Sequence, residues 1–305
     1  MSLREISSQN TRGCVSVPRA IGRLCALGLL STCLGAGSFA LKARQPPARQ
    51  SASPVTTLTP LAQEIEKQRA RLASDSVEER RDAVARLGRL GRPEGSRAAS
   101  SALGDRSPIV RATAARAVLA LPPDEAVALL VPLLHDHAEF VRREGAYALG
   151  ETHSPTAVPA LLDTLEHDKS AGARGAAVVA LEQIKDLRAV PALMQVLSRQ
   201  AAGANPFRRI KRSKATGNEF VRREAARALG QIGDHRAVPA LVAVLSDERT
   251  DTDVRREAAQ ALGTIGDRAA IPALRAALTA QDPYLSRIAY EALRKIDPAE
   301  AAKPT

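Results

Sequence analysis

The stretch VRREAARALGQIGDHRAVPALVAVL, from Val221 to Leu245, decides the fold. In its first half Val221, Ala225, Ala228 and Leu229 recur at helical spacing and share one stripe of a helix. In its second half Val238, Leu241, Val242 and Leu245 do the same. Gly233, Asp234 and His235 between them supply a turn. Pro239 falls in the opening turn of the second helix, where the first N–H groups have no intrahelical partner and proline costs little. The unit therefore reads as two antiparallel helices of about three turns each.

The unit recurs. VRREGAYALG starts at Val141 and VRREAAQALG at Val254, with weaker copies from Glu79, Val110, Ala173 and Leu285. The starts are 31 to 33 residues apart, except for one longer gap between Ala173 and Val221. Eight positions after each start stands Leu87, Val118, Leu149, Leu181, Leu229, Leu262 or Leu293. The AVPAL block also returns, with Pro159, Pro191, Pro239 and Pro272 each eighteen residues after the start of its repeat. Neither helix of a pair can bury its stripe alone, so pairs must stack on their neighbours.

At the two ends, Thr59-Pro60 reads as a cap and a helix to about Leu72, with Leu61, Ile65 and Leu72 facing inward, and Asp282-Pro283 opens a helix that stops near Asp297-Pro298. The expected architecture is all-α: a right-handed α-α superhelix of about seven helix pairs over residues 59–297, with a tail at 298–305. The motifs VRREAAxALG and GDxRAVPAL resemble bacterial HEAT repeats of the phycobilisome-lyase-like, or E-Z, type. The resemblance spans nearly all of Thr59 to Ile296 and implies a HEAT/armadillo-like solenoid. It is specific for fold and weak for activity, because proteins with such repeats include scaffolds, bilin lyases and deoxyhypusine hydroxylases.

Composition agrees with closely packed short helices: 45% of residues are hydrophobic, yet aromatics are only 2% and tryptophan is absent. The formal net charge of +11 raises the question of anionic partners. Much of it is local. The longer gap holds the insertion AAGANPFRRIKRSKATG, residues 201–217, with Arg208, Arg209, Lys211, Arg212 and Lys214, no acid, and the apolar Phe207 and Ile210. Such a loop suits anionic lipid, nucleic acid or another polyanion, or an acidic protein, and equally reads as a merely solvated loop.

Residues 24–41, LCALGLLSTCLGAGSFAL, form an uncharged apolar run behind Arg19 and Arg23. Three readings stand: a signal peptide cleaved after Ala40, an uncleaved membrane anchor, and lipidation at Cys33 within the lipobox-like Leu30-Ser31-Thr32-Cys33. Each points to export, to the periplasm or cell envelope. Residues 41–58 are rich in Pro, Gln and Ser and read as a tether. The three cysteines all lie in the N-terminal segment, so no later residue forms a disulfide or a thiolate metal site.

Stacking turns repeated residues into rows. Arg81, Arg143, Arg223, Arg256 and Arg287 make one, and Arg143, Arg223 and Arg256 are its candidate contacts for an acidic partner. The acids that follow, Asp82, Glu144, Glu224 and Glu257, allow pairing inside the solenoid instead. A second row, Arg80, Arg111, Arg142, Arg174, Arg222 and Arg255, is preceded at six residues by Asp105, Asp136 and Asp168 in three cases. This resembles the Asp-to-Arg ladders between neighbours in HEAT-like repeats, and the resemblance implies a structural row.

No catalytic residue, cofactor site or metal site is expected. There is no G-x-S-x-G, Walker or H-E-x-x-H motif, and none of the five histidines precedes a Glu, as the hydroxylase resemblance would require. His135, Asp136, His137 and Glu139 are close in sequence and read as a polar loop between repeats. The leading expectation is an exported or membrane-anchored scaffold that binds a protein partner on the solenoid surface, with the second helices marked by Leu161, Leu193, Leu241 and Leu274 lining the concave side and their exposed neighbours as the contacts. The alternative is a lyase-like or hydroxylase-like enzyme, or an enzyme subunit, on the same fold.

Overall fold

The computed structural model describes residues 58–198 and 212–302, the side chains of 212–217 excepted. The N-terminal segment 1–40 with Cys33, the tether up to residue 57, and Phe207, Arg208, Arg209 and Lys211 lie outside the described residues. Arg212 and Lys214 lie in a helix, but their side chains are outside the described set.

Among the described residues there are helices and no strands. After α1 (Pro60–Leu72), seven first helices recur: α2 (Val77–Arg89), α4 (Pro108–Ala117), α6 (Glu139–Glu151), α8 (Ala171–Ile184), α10 (Arg212–Ile232), α12 (Thr252–Ile265) and α14 (Pro283–Ile296). Between them run the second helices α3 (Pro93–Ala99), α5 (Pro123–Leu130), α7 (Val158–His167), α9 (Val190–Ser198), α11 (Val238–Ser246) and α13 (Ile271–Ala277). A last short helix, α15 (Pro298–Ala301), follows α14 with Asp297 as its cap. Within this unit the chain is an all-α superhelix of stacked pairs.

The repeated residues form the core. Leu87, Val118, Leu149, Leu181, Leu229, Leu262 and Leu293 are all fully buried, as are Leu161, Leu193, Leu241 and Leu274 on the second helices. Each such leucine contributes roughly 1.5–3 kcal/mol. First helices touch one another more extensively than second helices do, because small residues let their backbones approach. A Cβ on Gly230 would meet Ala261 at 2.8 Å, and one on Gly263 would meet Ala292 at 2.6 Å.

Pro159, Pro191, Pro239 and Pro272 each occupy the second position of their helices. The turn before them is more ordered than sequence suggests. In four repeats a residue of positive φ (His153, Lys185, Gly233, Gly266) ends or follows the first helix. Next comes Ser154, Asp186, Asp234 or Asp267, whose side chain accepts the N–H two residues on and starts a single 3₁₀ turn. The earlier repeats lack AVPAL, and their second helices α3 and α5 pass into 3₁₀ turns at Ser100–Gly104 and Val131–His135. Pro132, which has no N–H to give, sits in the latter.

The first helix departs from expectation at one position. Ile65 is buried and Leu72 half-buried, but Leu61 is exposed. Gln68 is buried instead, donating to Glu64 at 2.7 Å and accepting from Arg71 at 3.0 Å. Among the described residues α1 has neighbours on one side only, α2 and α3, so its covered apolar stripe is narrower. No described helix is long and apolar enough to cross a membrane.

Candidate functional site

The second arginine row is structural. Arg80 reaches Asp105 of the next repeat, Nε to Oδ2 at 2.7 Å and Nη2 to Oδ1 at 2.9 Å. Arg111 meets Asp136 in the same way at 2.6 and 2.7 Å, and Arg142 meets Asp168 at 2.6 and 3.0 Å. Each aspartate also serves its own repeat: the backbone carbonyls of Asp105, Asp136 and Asp168 accept from Arg111, Arg142 and Arg174. Their side chains accept the N–H of Ser107, Ala138 and Ser170 as the next first helix opens. The Arg80 guanidinium holds the Asp105 carboxyl below its usual range. For Asp136 and Asp168 burial pushes upward, but the hydrogen bonds from Arg111 and Arg142 and from backbone N–H outweigh it, and both are lowered.

The ladder changes where the insertion interrupts the repeat. Arg174 donates to the neutral Asn218 at 3.0 Å. Arg222 turns to Glu219 at 3.0 Å and to the Leu197 carbonyl at 3.1 Å. Beyond it the register slips by one residue: Arg255 donates to the Leu245 carbonyl, and Arg256 takes the bidentate position on Asp282, at 2.7 and 2.9 Å.

The first row has mixed fates. Arg256 is a clamp, held by Asp282 and by Asp253 at 2.8 Å rather than by Glu257. Arg223 pairs with Glu224 at 3.2 Å. Glu224 and Glu182 also hold Arg227, the latter at 3.2 Å. Beside this network burial raises the Glu257 carboxyl above its usual range; Arg227 pulls it down and Glu224 pushes it back up. Arg143 has no ion pair among the described residues.

What the sequence reading passed over is where the aromatics are. All five described aromatics lie on first helices, Phe140 and Tyr147 on α6, Phe220 on α10, Tyr284 and Tyr290 on α14. Four of them, all but Tyr147, are exposed. Three stack with the first arginine row: Arg143 over Phe140 at 5.8 Å, Arg223 over Phe220 at 5.5 Å, and Arg256 over Tyr284 at 5.1 Å from the ring centroid. The signal was in the sequence, one position before Val141, Val221 and Leu285, in alternate repeats. The positions between are Gly172 and Asp253.

The histidine loop is committed to the ladder. Asp136 is held by Arg111 and by the Ala138 N–H, and the carbonyl of His137 accepts from Arg142 at 3.4 Å. His135, His137 and His167 line an open cleft of about 350 Å³, where His167 pairs with Asp163 at 3.0 Å. Among the described residues no group of three or more His, Cys, Asp or Glu is placed to hold a metal ion.

Comparison with solved structures finds similar chains of known fold. A phycocyanin lyase complex of CpcE and CpcF from Nostoc sp. PCC7120 is 25% identical, covering 81% of this chain and 91% of that one, with a TM-score of 0.44. Human deoxyhypusine hydroxylase in complex with glycerol is 21% identical, over 77% of this chain and 96% of that one, with a TM-score of 0.37. An engineered protein is 25% identical, over 76% of this chain and 68% of that one, with a TM-score of 0.46. No curated protein sequence matches. The family description "PBS lyase HEAT-like repeat" matches residues 221–247. The description "HEAT repeats" matches residues 65–150, 139–204 and 248–304, more than half of the sequence, and the chain belongs to the HEAT-repeat family.

Proposed function

We propose that this chain is an exported or membrane-anchored HEAT-repeat scaffold that binds a protein partner across the exposed face of its first helices. One observation carries the reading: in a protein with so few aromatics, Phe140, Phe220, Tyr284 and Tyr290 are spent on the surface and not in the core. Aromatic and arginine side chains dominate the energetic centres of protein interfaces, because they bury much area at little entropic cost. Phe140, Phe220 and Tyr284 recur at every second repeat, roughly 20 Å apart at ~10 Å per stacked helix. An extended polypeptide covers that interval in about six residues.

Export rests on the sequence of residues 1–40, and anchoring on the apolar run 24–41 if it is retained. The basic stretch at Arg208, Arg209, Lys211, Arg212 and Lys214 adds a second contact, for an acidic protein or anionic lipid headgroups. The test is site-specific photo-cross-linking in the source cells, with the cross-linker at position 140, 220 or 284, or at position 187 as an exposed control. A single protein species captured from the first three positions and not from the fourth supports the reading. Equal capture from all four, or none, contradicts it.

A further inference from the structure

The arginine row has two gaps, Ala112 and Gly175, and the molecule treats them differently. At Gly175 the gap is filled from within. The Phe220 ring of the following repeat lies where a side chain at position 175 would stand. At Ala112 the ring of the following repeat is Phe140, and it forms a wall without closing the gap. What remains between α2, α4 and α6 is an open, mainly apolar notch of about 370 Å³, floored by Ala85, Gly88, Ala112 and Ala117.

The charges around this notch favour one kind of occupant. Arg89 on the rim is exposed and has no acidic partner among the described residues. Arg116, also on the rim, has one exposed contact to Glu151 at 3.2 Å. Arg143 lies over the Phe140 ring with no ion pair. Of the charged residues that line the notch, two are cations, Arg89 and Arg116, and one is an acid, Glu144.

We infer that the notch at Ala112 receives an aromatic side chain of a partner polypeptide, with carboxylates flanking that side chain against Arg89 and Arg116. The contact at Gly175 shows inside the same molecule that an aromatic ring from a neighbour fits such a gap. The inference rests on the scaffold reading and narrows it to one anchor of stated chemistry. Apolar burial supplies affinity, and the arginines orient the chain and reject basic sequences.

The test titrates the full chain with a fluorescein-labelled peptide, acetyl-Ser-Glu-Glu-Phe-Glu-Ser-amide, read by anisotropy. Two control peptides replace its Phe by Ala or its three Glu by Lys. The Phe peptide should bind about tenfold more tightly than either control. Thr113→Trp, which fills the notch from its half-exposed lining, should weaken it by a similar factor, and so should Arg89→Glu, at an exposed residue. Circular dichroism confirms that each variant is folded, and Arg89→Glu keeps the test decisive if Thr113→Trp is not. Equal binding of the Phe and Ala peptides, no binding of the Phe peptide, or full binding by folded Arg89→Glu overturns the inference. If the peptide fails while positions 140, 220 and 284 still cross-link a partner, this anchor falls and the scaffold reading stands. If the peptide binds at the notch and those positions capture nothing, the anchor stands and the broader face does not.

Discussion

Arg142 of one repeat grips Asp168 of the next through two parallel hydrogen bonds, at 2.6 and 3.0 Å, with both side chains less than a tenth exposed. The same aspartate accepts from Arg174 through its backbone and from the Ser170 N–H through its side chain. One residue thus joins three consecutive elements. Removing it leaves a buried guanidinium uncompensated, which costs far more than an exposed pair contributes. Asp168→Ala should lower stability by roughly 3 kcal/mol. Glu66→Ala, which breaks an exposed pair with Arg69, should change it by less than about 0.5 kcal/mol. Urea denaturation of both variants measures the contrast.

The ladder also sets the acid limb of stability. Asp105, Asp136 and Asp168 all have carboxyls lowered in the folded state. Their contribution is fully present above the unfolded value near about pH 4 and is lost as pH falls through the lower folded values. Thermal melts should therefore show a steep drop in Tm below about pH 4, and Asp168→Asn should flatten it. An unchanged acid limb in that variant would count against the ladder as its source.

Glu257 has the opposite sign. Its carboxyl is raised by burial, so the stability linked to it is present below the unfolded value and lost as pH rises through the folded one. Glu257→Gln should be more stable than the native chain at pH 7, by roughly 0.5 kcal/mol given its partial exposure, and no more stable at about pH 4. Paired melts at the two pH values check this.

Gly263 tests the close stacking of first helices. In an exposed helix Gly→Ala stabilises by about 1 kcal/mol. Here the new Cβ would meet Ala292 at 2.6 Å to its Cβ and 2.7 Å to its Cα, a contact that only a backbone shift relieves. Gly263→Ala should instead destabilise by about 1–3 kcal/mol. Gly104→Ala, with nothing within 4 Å, should not destabilise.

Leu229, Leu241 and Pro239 show why so much of the fold was legible: helical periodicity and proline position are local properties, and the chain repeats the first of these positions seven times and the other two four times. That the second arginine row joins neighbouring repeats was legible from the resemblance to HEAT-like repeats, but the specific pairing of Arg80 with Asp105 came only from the packed structure. The slip from Arg255 to Arg256 was not legible either. Asp247 stands at the expected distance from Arg222, yet it accepts from Arg249 at 3.0 Å, and Arg222 turns to Glu219. Short-range partners won at these positions, and sequence offsets do not carry that competition. Leu61 failed for a related reason, because periodicity marks a stripe but not whether a neighbour covers it.

The candidate surface was legible only in half. The sequence singled out Arg143, Arg223 and Arg256 by recurrence, whereas Phe140, Phe220 and Tyr284 drew no notice because each reads as an ordinary apolar residue at a helix start. Exposure distinguishes them, and exposure belongs to the packed structure.

The most direct test of the binding face is affinity capture from the source cells with the full chain and with a Phe140→Ser, Phe220→Ser, Tyr284→Ser variant. All three side chains are exposed, but the Phe220 ring also fills the gap at Gly175. The variant should therefore melt somewhat below the native chain while remaining folded, and Phe140→Ser with Tyr284→Ser alone should melt within a few degrees of it. The expected result is a partner retained by the native chain and lost, by about tenfold or more, from an equally folded variant. Undiminished retention by that variant would contradict the assignment of the first-helix face as the binding surface.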